Sequence, residues 1–354
     1  MPSVRDAGAA MGPPRNTFSR SIVNANHWLM TVVGALLLAF LLGGSGAQGA
    51  EVETYRVGPA ARNLSFNRGA KVLAASQALG GVTFLKIEDG KVVAQEFHQE
   101  WQTLHALPLE DGAFLLADRF AGIRLVAPAQ QGTFGTYGEK LNFPCEGIPT
   151  HLVVDKDRLL VAAGGAGLLL YEWPLHEAAP MLRGRFPFVD YTKEIVLDGR
   201  GMAYLADNFE TGLQIIDQRD LMRPKLMALR SGGFFDSVAI HGELLAVANR
   251  RHGLQLWNVQ DPAKPELMQA VMLEAKGFPK SITFGSEGKL VLCHGGGGAF
   301  LYEPRVKNGV LELKADGRIT PDAASALHSV FLSPGLIVVS SERGELFFCR
   351  IGAQ

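Results

Sequence analysis

Residues 194–271 state one pattern twice. The copies IVLDGRGMAYLADNFETGLQIIDQRDLMRPKLMAL and VAIHGELLAVANRRHGLQLWNVQDPAKPELMQAV each give a short apolar run, a turn and a second apolar run ending in Ala-Asp-Asn or Ala-Asn-Arg. A polar loop, a third run opened by Gly-Leu-Gln, a Pro-bearing turn and a last short run follow. Four short strands in a unit of about 40–45 residues is the sequence signature of a propeller blade.

The glycine that opens the third strand can be followed along the chain as Gly81, Gly122, Gly167, Gly212, Gly253, Gly298 and Gly344. Successive differences are 41, 45, 45, 41, 45 and 46, which leaves no gap for a further domain. Glycine suits this place because the loop reverses through a backbone shape that a side chain penalises. The expected fold is all-β, a seven-bladed propeller over residues 51–354. Val52 to Val57 alternates like a strand with no partner nearby, and the last unit has only three strands. The N-terminal strand is therefore expected to close the last blade and cover both edges.

The blades are expected at Leu64–Phe97, Leu104–Gln131, His151–Arg185, Glu194–Arg230, Asp236–Leu273, Ser281–Ile319 and His328–Ile351. Gly132–Thr150 reads as an insertion between blades two and three. No amphipathic helix of any length follows residue 50.

Residues 1–50 read as a leader. Arg5, Arg15 and Arg20 precede the uncharged run Leu29 to Leu42, and Gly43 to Ala50 supplies small residues. Fourteen residues fall short of the roughly 20 that span a bilayer, and the small residues fit a signal-peptidase site after Ala47 or Gly49. An uncleaved signal anchor is the alternative, and contact with a membrane is expected only in that case. Either reading places the propeller outside the cytoplasm, periplasmic or secreted.

A net charge of −1 on 354 residues removes any general argument for nucleic acid or an anionic membrane surface as partner. The three cysteines, Cys145, Cys293 and Cys349, are too few and too scattered for a disulfide framework or a metal knuckle.

Tyr204-Leu205-Ala206-Asp207, then Gly212 to Asp217, then Pro224 resembles the LVIVD repeat of bacterial and archaeal surface or exported propellers. Gly253 to Val259 with Asp261-Pro262-Ala263-Lys264-Pro265 is similar to that repeat's third strand and Asp-Pro turn. Glu177-Ala178-Ala179-Pro180 in blade three is a weaker match, and blade six departs, with His294 to Gly298 and Glu303-Pro304 in place of the motif. The resemblance implies a fold; it brings no catalytic motif with it.

In a propeller, the loops entering the innermost strands and those joining second to third strands share one face around the channel mouth. The first set presents Asn63, His105, His151, Glu194, Asp236, Ser281 and His328. Of these, His105, His151, Glu194, Asp236 and His328 are the side chains that can converge on a divalent cation. The competing reading is a polar, water-filled channel, and unequal loop lengths fix the alignment only to within one residue. The second set and its flanks present Trp101, Arg119, Tyr191, Asp207, Asn208, Asn249, Arg250, Arg251 and His252, with Phe234 and Phe278 beside them. Arginine next to aromatic rings is what binding surfaces are enriched in.

The glycines at 295–298 lack a Gly-x-Ser-x-Gly nucleophile turn to serve, and zincin, phosphate-loop, EF-hand and dinucleotide patterns are absent from the sequence. The sequence thus reads as a non-catalytic binding platform for a protein or polymer in the envelope or outside the cell, with no cofactor expected. Two alternatives stand beside it. One is a metal-assisted hydrolase or lactonase at the channel mouth, the other a carbohydrate binder using Trp101 or Tyr191.

Overall fold

The computed structural model describes residues 50–130, 133–173, 179–187, 191–208, 211–274 and 276–352. The expected leader, Ala50 aside, lies outside them, as do Glu177 and Ala178. Among the described residues, no helix is long and apolar enough to cross a membrane.

Every described strand belongs to one of seven antiparallel sheets of four strands. Six sheets are meanders of four consecutive strands. The seventh joins Ala50–Arg56 to His328–Ser333, Leu336–Ser340 and Glu345–Ile351, with Ala50 opposite Ile351 and Arg56 opposite Glu345. Each innermost strand touches the next around the ring, and the last, in blade seven, returns to Asn63–Asn67 of blade one. The chain is a seven-bladed β-propeller closed by its N-terminal strand.

The sequence makes blades, and not a two-layer sandwich, because middle strands are apolar on both faces. Leu213, Gln214, Ile215 and Ile216 of the third strand of blade four are all buried. One face packs on the preceding blade and the other on the following one. Seven apolar clusters result, one at each junction; Tyr204, Leu213 and Ile215 meet Val238, Leu245 and Val247 between blades four and five. Each fully buried Leu or Ile contributes roughly 1.5–3 kcal/mol. Outer strands differ: Lys225–Arg230 leaves Leu226, Met227 and Leu229 exposed.

The expected insertion at Gly132–Thr150 is corrected by the register. Tyr137–Phe143 pairs with Gly122–Pro128 and is the outer strand of blade two, so that blade runs on to Phe143.

The landmark glycines have two reasons to be glycine. All seven take positive φ, from 74° at Gly212 to 101° at Gly81. A Cβ on Gly122 would also lie 2.6 Å from the carbonyl oxygen of Phe143, and those on Gly81, Gly212 and Gly253 would strike the carbonyls of His98, Arg230 and Val271. The outer strand ends hard against the turn that opens the third.

Candidate functional site

The innermost edge of each blade faces the axis, where its backbone groups lack a fifth strand to pair with, and buried backbone donors need partners. Side chains from the neighbouring blade supply them. His105 Nδ1 accepts from Leu152 N–H at 3.1 Å, His151 Nδ1 from Ile195 N–H at 3.4 Å and His328 Nδ1 from Leu64 N–H at 3.3 Å. Glu194 Oε2 accepts from Val238 N–H at 3.2 Å and from the Ser237 hydroxyl, and Ser237 Oγ accepts from Ile282 N–H at 2.9 Å. Five of the seven junctions are laced by this one device. The Asn63 amide nitrogen lies 3.1 Å from His328 Nε2, so this asparagine faces the channel.

Asn63, His105, His151, Glu194 and His328 line a cavity of about 590 Å³ along the axis, with Val153, Val196, Ile240 and Val330 below them. Burial holds all three imidazoles neutral. It depresses His105 well below the usual histidine range, His151 to about 3 and His328 to about 4, and the rings' mutual repulsion adds to the effect on His105 and His151. Burial raises Glu194 to about 7, against its hydrogen bonds from Ser237 and Val238. His151 Nε2 and Glu194 Oε1 are 4.0 Å apart.

The same bonds decide what the rings can do. Since Nδ1 accepts a backbone N–H, the neutral rings of His105 and His151 carry their proton on Nε2 and are donors toward the channel. A metal at Nε2 of either ring would need that proton moved to Nδ1, where it would confront Leu152 or Ile195 N–H. Among the described residues, no group of three or more His, Cys, Asp or Glu side chains is arranged to hold a metal ion. His105, His151, Glu194 and His328 do come together; Asp236 does not join them. A β-bulge between Phe235 and Ser237 moves the register by one, so Ser237 takes the channel position and Asp236 turns to the rim.

There Asp236 is buried and ion-paired with Lys193 and with Arg250, whose Nη2 donates to Oδ1 at 2.9 Å. Lys193 is itself skipped by a bulge between Thr192 and Glu194, so equivalent irregularities in adjacent blades aim these two side chains at each other. The Arg250 guanidinium lies 4.6 Å from the Phe278 ring and Lys280 Nζ 3.9 Å from it; Arg251 lies 5.0 Å from the Phe234 ring. Arg251 and His252 are exposed.

Other expected site residues have structural partners. Trp101 is buried in the junction of blades one and two and stacks on His98 at 3.9 Å. Asn249 Oδ1 accepts from Arg251 N–H and His252 N–H, closing its turn, and Asp207 accepts from Tyr191 N–H. Asn208 N–H donates to the Tyr191 carbonyl, which leaves half-buried Tyr191 tying two loops together. Arg119 is half-buried, 5.9 Å from the exposed Phe120 ring. Sequence reasoning missed Lys193 and Lys280. Their signal was position, since each immediately precedes a residue expected at the start of an inner strand, Glu194 or Ser281.

No family profile matches the chain, and no curated protein matches it. Among solved structures, 1510 chains match. One, from the crystal structure of a mitotic checkpoint complex, superposes with a TM-score of 0.66 at 13% identity, covering 93% of this chain and 100% of that one. At that identity the likeness is one of fold, the bladed ring, which hosts many unrelated functions.

Proposed function

We propose that the protein is an exported, non-catalytic binding platform of LVIVD-like repeats, and that its partner is a protein or polymer in the envelope or outside the cell. The partner docks on the loop face over blades four to six. One observation carries this reading: Arg250 and Arg251 are each laid on a phenylalanine ring at the channel mouth, with Arg251 exposed. Arginine and aromatic side chains are over-represented in the centres of protein interfaces. A solved neighbour that belongs to a protein complex supports a protein as the partner class. Export rests on Leu29 to Leu42 and the small residues after it, and the repeat name on blades four and five.

Affinity capture from an envelope extract with the full chain as bait tests the platform. A partner retained by the wild type and lost with Arg251→Gln is expected. Stoichiometric zinc or calcium in the purified protein, lost when His105 and His151 are replaced, would favour the hydrolase instead. Cell fractionation with mass measurement of the N-terminus checks export, and a protein with residues 1–50 intact in the cytosol defeats it.

A further inference from the structure

Joining the blades leaves three polar atoms of the channel without a partner. His105 Nδ1, His151 Nδ1 and Glu194 Oε2 are engaged by the neighbouring blade, whereas His105 Nε2, His151 Nε2 and Glu194 Oε1 make no hydrogen bond among the described residues. Other polar side chains of the cavity close on one another, Asn63 on His328 at 3.1 Å and Ser329 on Thr283 at 3.2 Å. The three atoms are enclosed: His105 is 6% exposed, and the side chains of His151 and Glu194 are 12% and 16% exposed.

They also converge. The His105 and His151 rings stack with centroids 3.9 Å apart, and His151 Nε2 lies 4.0 Å from Glu194 Oε1. That gap is too wide for a hydrogen bond and takes one bridging atom: an oxygen about 2.8 Å from both would see them about 90° apart. One side of the gap donates and the other accepts, so the group that fits must accept and donate through the same atom, as a hydroxyl does.

The walls say what the hydroxyl is attached to. Val153, Val196, Ile240 and Val330 line the same cavity below the polar atoms, and its volume of about 590 Å³ is that of a small-molecule pocket. Water against aliphatic walls lacks the two to four polar partners it needs, so an apolar stem displaces it favourably. The lining contains no Lys or Arg, and its carboxylates are Glu194 and Asp155, so an anion would find no counter-charge. A cation would meet the positive ends of two N–H donors.

We propose that the channel is a binding site for a neutral aliphatic alcohol, whose hydroxyl bridges His151 Nε2–H and Glu194 Oε1 while its hydrocarbon stem lies along Val153, Val196, Ile240 and Val330. His105 Nε2–H supplies a second donor beside the first. The site is separate from the loop face over blades four to six, and it stands whether or not a partner docks there.

The test is a set of six-carbon or equal-sized probes titrated against the full chain at pH 8 by saturation-transfer NMR: 1-hexanol, methyl pentyl ether, hexanoate and hexylammonium. The alcohol is expected to bind at least tenfold more tightly than the ether, which accepts but does not donate, and than either ion. Glu194→Gln, whose carbonyl stays with Val238 and Ser237 and whose NH₂ then faces His151, should weaken 1-hexanol about tenfold. Val330→Thr, which adds a hydroxyl to the aliphatic wall at the same shape, should weaken it several-fold, and Val306→Thr, at an exposed position outside the cavity, should leave it within about twofold. A cooperative melting transition in each variant separates lost contact from lost fold. No binding of 1-hexanol would overturn the site and leave a channel filled with water. Tighter binding of either ion would overturn the neutral ligand, equal binding of the ether would overturn the hydroxyl bridge, and equal loss in Val306→Thr or none in Glu194→Gln would place the alcohol elsewhere and refute the inference.

Discussion

The His105 and His151 rings stack with centroids 3.9 Å apart and planes 20° from parallel, and each accepts a backbone N–H of the following blade. A proton on Nδ1 would cut that link, and a charge on one ring would face the other. Their depressed pKa values, with that of His328, stabilise the fold fully above the free-histidine value near 6.5. The contribution is lost as pH falls toward about 4 for His328 and about 3 for His151. Glu194 opposes them with one group against three. Melting temperature is therefore expected to drop between pH 6.5 and 4, and His151→Asn, whose Oδ1 can stand in for Nδ1, should flatten the slope. An unchanged slope in that variant would show that the ring is not the titrating group.

Glu194 carries the opposite sign. Its folded pKa of about 7 lies above the ordinary value of 4.5, so its contribution is complete below pH 4.5 and lost as pH rises through 7. Glu194→Gln keeps an acceptor for Val238 N–H and Ser237 and removes the charge. The variant is expected to melt about 2–5 °C above wild type at pH 8 and level with it at pH 4.5, read by calorimetry.

How much of this could be read from the sequence depended on how tightly each position is constrained. The landmark glycines were legible because two independent restraints, positive φ and a neighbouring carbonyl, allow no substitute at Gly81, Gly122, Gly212 or Gly253. Tyr137–Phe143 was not legible, because an outer strand buries little: Glu139, Lys140 and Asn142 are exposed and only Tyr137 and Phe143 are buried. The same reasoning explains why Asp236 was assigned to the channel in place of Ser237. A bulge adds one residue without changing composition, and strand alternation cannot reveal it.

Gly253→Ala should be severe and Gly242→Ala mild, although both glycines have positive φ, 75° and 60°. Alanine at 242 meets open space and costs about 1 kcal/mol for the backbone alone. At 253 its Cβ meets the Val271 carbonyl, so the outer strand of blade five has to shift, and about 3 kcal/mol or more is expected. Urea denaturation of the two variants separates them, and equal midpoints would show that the third-strand turn is not crowded.

Leu205 is fully buried between blades three and four, where Leu160, Leu170 and Ile195 surround it. Leu205→Ala should cost about 2–5 kcal/mol, whereas Leu226→Ala on the exposed outer strand of the same blade should cost under about 1 kcal/mol. Denaturation midpoints that fail to separate the two would contradict the blade packing.

Among the described residues, Ala50–Arg56 finds its only β-partner about 300 residues later, in Glu345–Ile351. During synthesis that strand emerges ahead of every other described strand and waits unpaired until the last one arrives, so completion of the wheel is the most non-local event in its folding. Until then the outer edge of blade seven is open to any extended segment nearby. The latch thus makes the interval between the first and last strands the period in which this molecule is most vulnerable to joining the wrong neighbour.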